Sequence, residues 1–371
     1  MTQQQVVSSE VSADRVQATA SREIVMPIQY ARGVAALMVV LFHNEYIVKK
    51  YFGDYALGRF FEAGHSGVEF FFVLSGYIIY RMHSMDMGHP DRAHGFYVKR
   101  AVRILPLYWL VMVPFGLLML LVPSVGADRA LTLWDFVRDA LLIPRDGAIV
   151  VSTAWTLHHE VIFYAMFGLM ILNARVGIAA FIMWQASCVA ALLFGLLPDD
   201  SQAPLGKFFG VHNFGFLVGI SIGILAERVN LRAHAGVANL AVATAFALMC
   251  GMIWSEFRGG KVAHPAAMTL IYLALYAVIM VWLLSLSQRS RPLADRLLGR
   301  LGAASYALYI CHLAVASIVV KVLVVVGAVP HTSPLVAYLL TVCAAVVAAL
   351  ALHMLVEQPL LRHGRRLLLA R

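Results

Sequence analysis

Ten apolar runs, each sixteen residues or longer, recur along the chain with only short polar stretches between them. They fall at about 27–47, 66–81, 104–122, 153–172, 176–197, 208–226, 236–254, 265–287, 302–326 and 335–356. A helix rises about 1.5 Å per residue, so about 20 apolar residues cross the ~30 Å of hydrocarbon in a bilayer. Only 13% of the 371 residues are charged, against about 25% in a typical soluble domain. The pattern predicts an all-α polytopic membrane protein of about ten transmembrane helices, with no room for a separate globular domain. The run at 66–81 is short and glycine-flanked, so a tilted or partly re-entrant course is expected there. No internal repeat is visible, which argues against an inverted-repeat transporter.

The polar remainder fixes domain limits and orientation. Residues 1–26 carry no apolar core of their own and are expected to be a disordered cytoplasmic tail, leaving the first apolar helix as an uncleaved insertion signal. Residues 27–357 form the membrane domain, and 358–371 a basic cytoplasmic C-terminal tail. With the N-terminus inside, cytoplasmic segments hold 18 Lys and Arg and outer loops hold 9. That bias predicts both termini in the cytoplasm. The same clustering accounts for the formal charge of +9. No aromatic–basic platform or helix-turn-helix accompanies it, so no nucleic-acid partner is expected. The four cysteines (Cys188, Cys250, Cys311, Cys343) lie inside apolar runs without CxxC or zinc-ligand spacing and read as buried apolar side chains.

A charge in hydrocarbon costs at least about 2.5–3.5 kcal/mol, so each one needs a partner, a wet cavity or a task. Arg32 and His43 are eleven residues apart on the first helix, which puts them within about 20° on one face and ~16 Å apart along the axis. Arg32 would sit at the inner mouth and His43 in the outer half, as a base or as a hydrogen-bonded structural residue. Glu160, near the start of the fourth run, falls at a similar depth. A carboxylate beside an imidazole fixes its tautomer and raises its basicity; the alternative is an ion pair that locks two helices. His158 and His159 lie about 200° and 100° around the helix from Glu160 and cannot all face one cavity. No metal is expected, because HExxH-type spacing is missing. Arg100 and Arg103, spaced i, i+3, suit phosphates at the inner end of the third helix, or serve as plain topological anchors. His312 reads equally as a structural residue or as a cavity-lining one. Glu69 could face either the cavity or the outer loop. Lys321 is expected to snorkel, and Glu357 to pair with a basic residue where Pro359 stops the last helix.

RGVAALMVVLFH, GVEFFFVLSGYII, FYVKRAVRILPLYW, STAWTLHHEVIFY and SYALYICHL follow one another in this order. Together they resemble the membrane-bound acyltransferase family 3, especially its exopolysaccharide and lipopolysaccharide O-acetyltransferases, over roughly residues 27–357. The resemblance implies a ten-helix, multi-pass protein of the bacterial inner membrane. It would take an acyl group, usually acetyl, from cytoplasmic acyl-CoA as co-substrate, with no permanently bound cofactor. The acceptor would be a hydroxyl of a carbohydrate or lipid-linked glycan. The family's Arg-to-His pattern matches Arg32 and His43, its paired arginines match Arg100 and Arg103, and its Trp–Leu–Glu motif matches Trp155, Leu157 and Glu160. Glu69 stands where aspartate is common, and His158 and His159 fill positions often held by other residues. The implied scheme has Arg32, Arg100 and Arg103 hold the donor while His43, oriented by Glu160, acts as base or carries the acyl group itself. Glu69, Trp155, His159 and His312 would line the cavity. Membrane lipids are obligate neighbours and a homo-oligomer stays open. The competing class is a transporter of a lipid-linked sugar or other anionic solute, using the same residues for binding.

Overall fold

The computed structural model describes residues 25–122, 131–196, 203–258, 265–286 and 292–369. Among them the chain is helical, without a β-strand. The main helices are α1 (Met26–Phe52), α2 (Gly67–His83), α3 (Ala93–Leu121), the short α4 (Leu133–Ala140), α5 (Trp155–Leu172) and α6 (Ala174–Leu193). They continue with α7 (Phe214–Arg228), α8 (Ala235–Phe257), α9 (Pro265–Ser285), α10 (Ser305–Val325), α11 (Pro334–Leu352) and α12 (Gln358–Leu369). Nine helical stretches among the described residues are long and apolar enough to cross a membrane, and they coincide with nine of the ten apolar runs. The tenth run forms α2, one unbroken helix rather than a re-entrant segment. Its 17 residues rise about 25 Å, slightly less than the hydrocarbon core. Turns of 3₁₀ helix at Glu62–Ser66 and Ser84–Asp86 adjoin it at both ends. Most of the expected N-terminal tail, residues 1–24, lies outside the described residues.

α2 packs most extensively against α7, and small residues make that possible. Gly215, Gly219 and Gly223 stand at i, i+4 and i+8 on one face of α7, opposite Gly76 of α2. A Cβ on Gly219 would lie 2.1 Å from the Val73 carbonyl oxygen, and one on Gly76 would lie 2.3 Å from that of Phe216. Inside a bilayer, burying apolar surface gives no net drive between helices, so close backbone packing has to supply it. Aromatic rings fill the space beside the crossing: Phe216 stacks on Phe163 of α5 with centroids 4.2 Å apart.

α1 and α10 run side by side in the same direction, which their contacts report. Arg32, in the second turn of α1, reaches Ser305 at the start of α10, and His43 further along α1 meets His312. α3 starts at Ala93, eleven residues ahead of its apolar run, so Arg100 and Arg103 lie well within a helix. The loop before α5 is pinned by the buried Asp139, which accepts from Arg145 Nε at 2.6 Å and from the Val150 amide at 2.8 Å.

Pro359 does not stop the last helix, contrary to the expectation from sequence. A π-helical turn at His353–Glu357 carries the chain past it into α12. The Gln358 N–H bonds the His353 carbonyl five residues back, and such a widened turn accommodates a ring that lacks an N–H. α12 packs on α3, with Gly364 against Val102, so the basic segment that follows the membrane domain is helical over residues 358–369.

The α2–α7 crossing should be sensitive to a single methyl group. Gly219→Ala forces a clash with backbone rather than with a movable side chain, an overpacking cost of about 1–3 kcal/mol. A lower melting temperature in detergent is expected, while Gly236→Ala, which meets open space, should leave it unchanged. Equal melting of both variants with the parent would show that the crossing is looser than described.

Candidate active site

A cavity of about 160 Å³ lies among α1, α2, α5, α10 and the turn before α7, lined by residues including His43, His65, Glu69, Trp155, His212 and Tyr309. His43 Nδ1 is 3.0 Å from the Val39 carbonyl oxygen and 3.3 Å from Nε2 of His312. His312 Nδ1 is 3.1 Å and 2.9 Å from the carbonyl oxygens of Leu308 and Tyr309. A carbonyl only accepts, so each Nδ1 carries the hydrogen. His312 Nε2 then presents a lone pair to the His43 Nδ1–H, and His43 Nε2 is left as the basic nitrogen. His312 is fully buried and His43 half-buried. This is base-and-orienter geometry with an imidazole and a backbone carbonyl in the orienting role.

Glu160 is not the orienter. It accepts from Ser75 Oγ at 3.2 Å and from the Tyr164 hydroxyl, and it does not line the His43 cavity. Trp155, at the start of α5, does line it; Glu160 is five residues on, about 7.5 Å deeper and ~140° around the helix. The expected pairing of His43 with Glu160 is therefore corrected. The cavity's carboxylate is Glu69 of α2, which is buried and lies 3.8 Å from His212 Nε2. His159 supports the wall from behind: its Nδ1 is 2.9 Å from Asn213 Oδ1, and its ring meets those of Trp155 and His212. His158 is buried as well.

A second polar zone lies toward the start of α1. Arg32 donates to Gln29 Oε1 at 2.9 Å and to Ser305 Oγ at 3.0 Å, and it lies within electrostatic range of Arg103 and Glu357. The Arg100 guanidinium is 6.0 Å from the Tyr164 ring centroid, and its buried Nε has no hydrogen-bond partner among the described residues. Glu160, Arg100 and Arg103 all act on the Tyr164 hydroxyl. Glu357 pairs with His353 Nδ1 at 2.7 Å, and the Tyr306 hydroxyl donates to the Ile104 carbonyl at 2.8 Å. Arg32, Arg100 and Arg103 thus share one zone, with Glu160 among them. Lys321 is exposed on α10.

His65, His212, Tyr164 and Tyr306 were not singled out from sequence. The rule that flags an ionisable residue inside an apolar run selects His212 when applied to 208–226. The tyrosines carry no such signal.

Helices that cross a bilayer around partnered buried charges define an integral, multi-pass membrane protein. Residues 28–354 match the acyltransferase 3 family, described as an acyltransferase domain, and the chain belongs to that family. The exopolysaccharide production protein ExoZ of Rhizobium meliloti (strain 1021) is 28% identical over 327 residues, which covers 83% of this chain and 93% of that protein. No solved structure matches the chain.

The tautomer assignment can be checked directly. Nitrogen spectra of ¹⁵N-histidine-labelled protein should show neutral His43 and His312 protonated on Nδ1, with the His43 signal moving in His312→Phe. An Nε2–H form of His43 would remove it from the role of base.

Proposed function

We propose that the chain is an acyl-CoA-dependent O-acyltransferase of a bacterial inner membrane, moving acetyl from cytoplasmic acetyl-CoA to a carbohydrate hydroxyl. Family membership supports acyl transfer, and the ExoZ relative favours an exopolysaccharide or its lipid-linked precursor as acceptor. The Lys and Arg bias favours both termini inside, which turns the arginine zone to the cytoplasm and the His43 cavity toward the outer half.

The observation that carries the mechanism is the Nδ1 anchoring of His43, which leaves Nε2 free to accept a proton within the cavity. In this reading Arg100 and Arg103, with Arg32, hold the phosphates of the donor. Its pantetheine arm follows the α1 face from Arg32 to His43. His43 Nε2 removes the proton of the acceptor hydroxyl as its oxygen attacks the thioester carbonyl. The C–S bond then breaks, and the imidazolium returns the proton to the departing thiolate, leaving ester and free CoA. The carbonyl of Val39 and His312 hold the ring in place through both transfers. Glu160 serves the donor end, fixing Tyr164 beside Arg100.

Two experiments test this. His43→Ala should lower transfer at least 100-fold, the lower range for general-base catalysis, while acetyl-CoA still binds; near-normal transfer would remove His43 from the chemistry. Arg100→Ala combined with Arg103→Ala should weaken acetyl-CoA binding to the protein in nanodiscs by tenfold or more. Absence of acetyl-CoA binding in well-folded parent protein would turn the reading toward a transporter of an anionic solute.

A further inference from the structure

A larger cavity, of about 340 Å³, opens at the end of the bundle where α1 begins, between the ends of α2, α7 and α9. Its polar lining is Tyr77 and Arg81 of α2 with Asn230 and Arg232 from the turn after α7, and Val25 borders it. We propose that this cavity holds the 3′-phosphorylated nucleotide of the acyl-CoA donor, with Arg232 binding the 3′-phosphate. The inference rests on acyl-CoA being the donor.

Charge is the first argument. Arg81 is 3.3 Å from Glu227 Oε1, and the Tyr80 hydroxyl donates to Glu227 Oε2 at 2.9 Å, so the charge of Arg81 is largely offset. The Arg232 side chain is exposed and, among the described residues, makes no hydrogen bond or ion pair. It is the uncommitted cation of the cavity, and a guanidinium suits a phosphomonoester, which accepts two of its N–H groups at once. The side-chain amide of Asn230 offers both a donor and an acceptor, as an adenine edge requires.

Reach is the second argument. Val25 precedes His43 by 18 residues, about 27 Å along α1, a distance suited to an extended acyl-CoA between its thioester and its nucleotide. Arg32 lies between them on the same helix, where the diphosphate would pass. α2 repeats the relation, since Glu69 lines the His43 cavity and Arg81 the larger one. His83, two residues beyond Arg81, lies within electrostatic range of Lys99 and Arg100. The cavity and the arginine zone therefore share one end of the bundle.

A phospholipid headgroup offers the same phosphate chemistry, so the test separates the two sources. Acetyl-CoA and acetyl-3′-dephospho-CoA would be titrated against parent protein and Arg232→Ala in phosphatidylcholine nanodiscs, then in nanodiscs containing phosphatidylglycerol. The parent should prefer acetyl-CoA by about tenfold. Arg232→Ala should shrink that preference to within twofold and leave the affinity for the dephospho form unchanged. Glu227→Gln, by releasing Arg81, should widen it. A parent that binds both donors equally, or an Arg232→Ala protein that keeps the full preference, overturns the assignment while leaving acyl-CoA as donor. An Arg232→Ala protein that keeps the preference but loses retention of phosphatidylglycerol makes the cavity a lipid site. Binding of neither donor to the parent overturns the donor reading and this proposal with it.

Discussion

The need to partner every charge inside the bundle organises this protein. An unpartnered ionised group in hydrocarbon is so unfavourable that such residues gather where several helices can satisfy them together. Here they gather in two zones. Arg32, Arg100, Arg103, Glu160 and Glu357 come from α1, α3, α5 and the π turn after α11, whereas His43, Glu69, His212 and His312 come from α1, α2, α10 and the turn before α7. Each zone needs helices far apart in sequence to meet, so its formation and the assembly of the bundle are one requirement. The α2–α7 crossing serves that requirement. With glycine at the contact, α2 can sit between the zones and offer Glu69 to one and Ser75 to the other.

Much of this was legible in the chain, for physical reasons. Apolar run length identifies helices because a bilayer leaves the backbone few alternatives, and nine of ten runs became helices of spanning length. The Arg32–His43 face was legible because both residues share one helix, where 3.6 residues per turn fix their relation. Relations between helices were not. Nothing in the local sequence tells that His312 would reach His43 across 269 positions. From sequence Glu160 was placed beside His43, but its partners are Ser75 and Tyr164, which local spacing along one helix does not reveal. The glycine spacing in GFLVGISIG was readable as a packing face, but naming its partner required the three-dimensional arrangement.

The corrected placement of Glu160 changes how the two ends divide their work. A base that takes a proton for the length of one transition state is disfavoured by nearby cations, and the more so in low dielectric. In the proposed reaction, three arginines without carboxylates among them would impose such a field on His43. Glu160 and Glu357 stand among those arginines, and both lie within electrostatic range of Tyr306. Tyr309 then separates the zones: it lines the His43 cavity, its hydroxyl lies 2.9 Å from Thr156 Oγ1, and it donates to the Thr153 carbonyl at 3.1 Å. In the proposed reaction, carboxylates among the arginines and a carbonyl-anchored histidine pair in the other zone would keep phosphate binding and proton transfer apart. In the proposed reaction a carboxylate bonded to His43 would stabilise the imidazolium more strongly, but it would also set a full negative charge against the ring; Glu69, the carboxylate of this cavity, stands by His212 instead. The His312–His43 arrangement orients the ring without that charge.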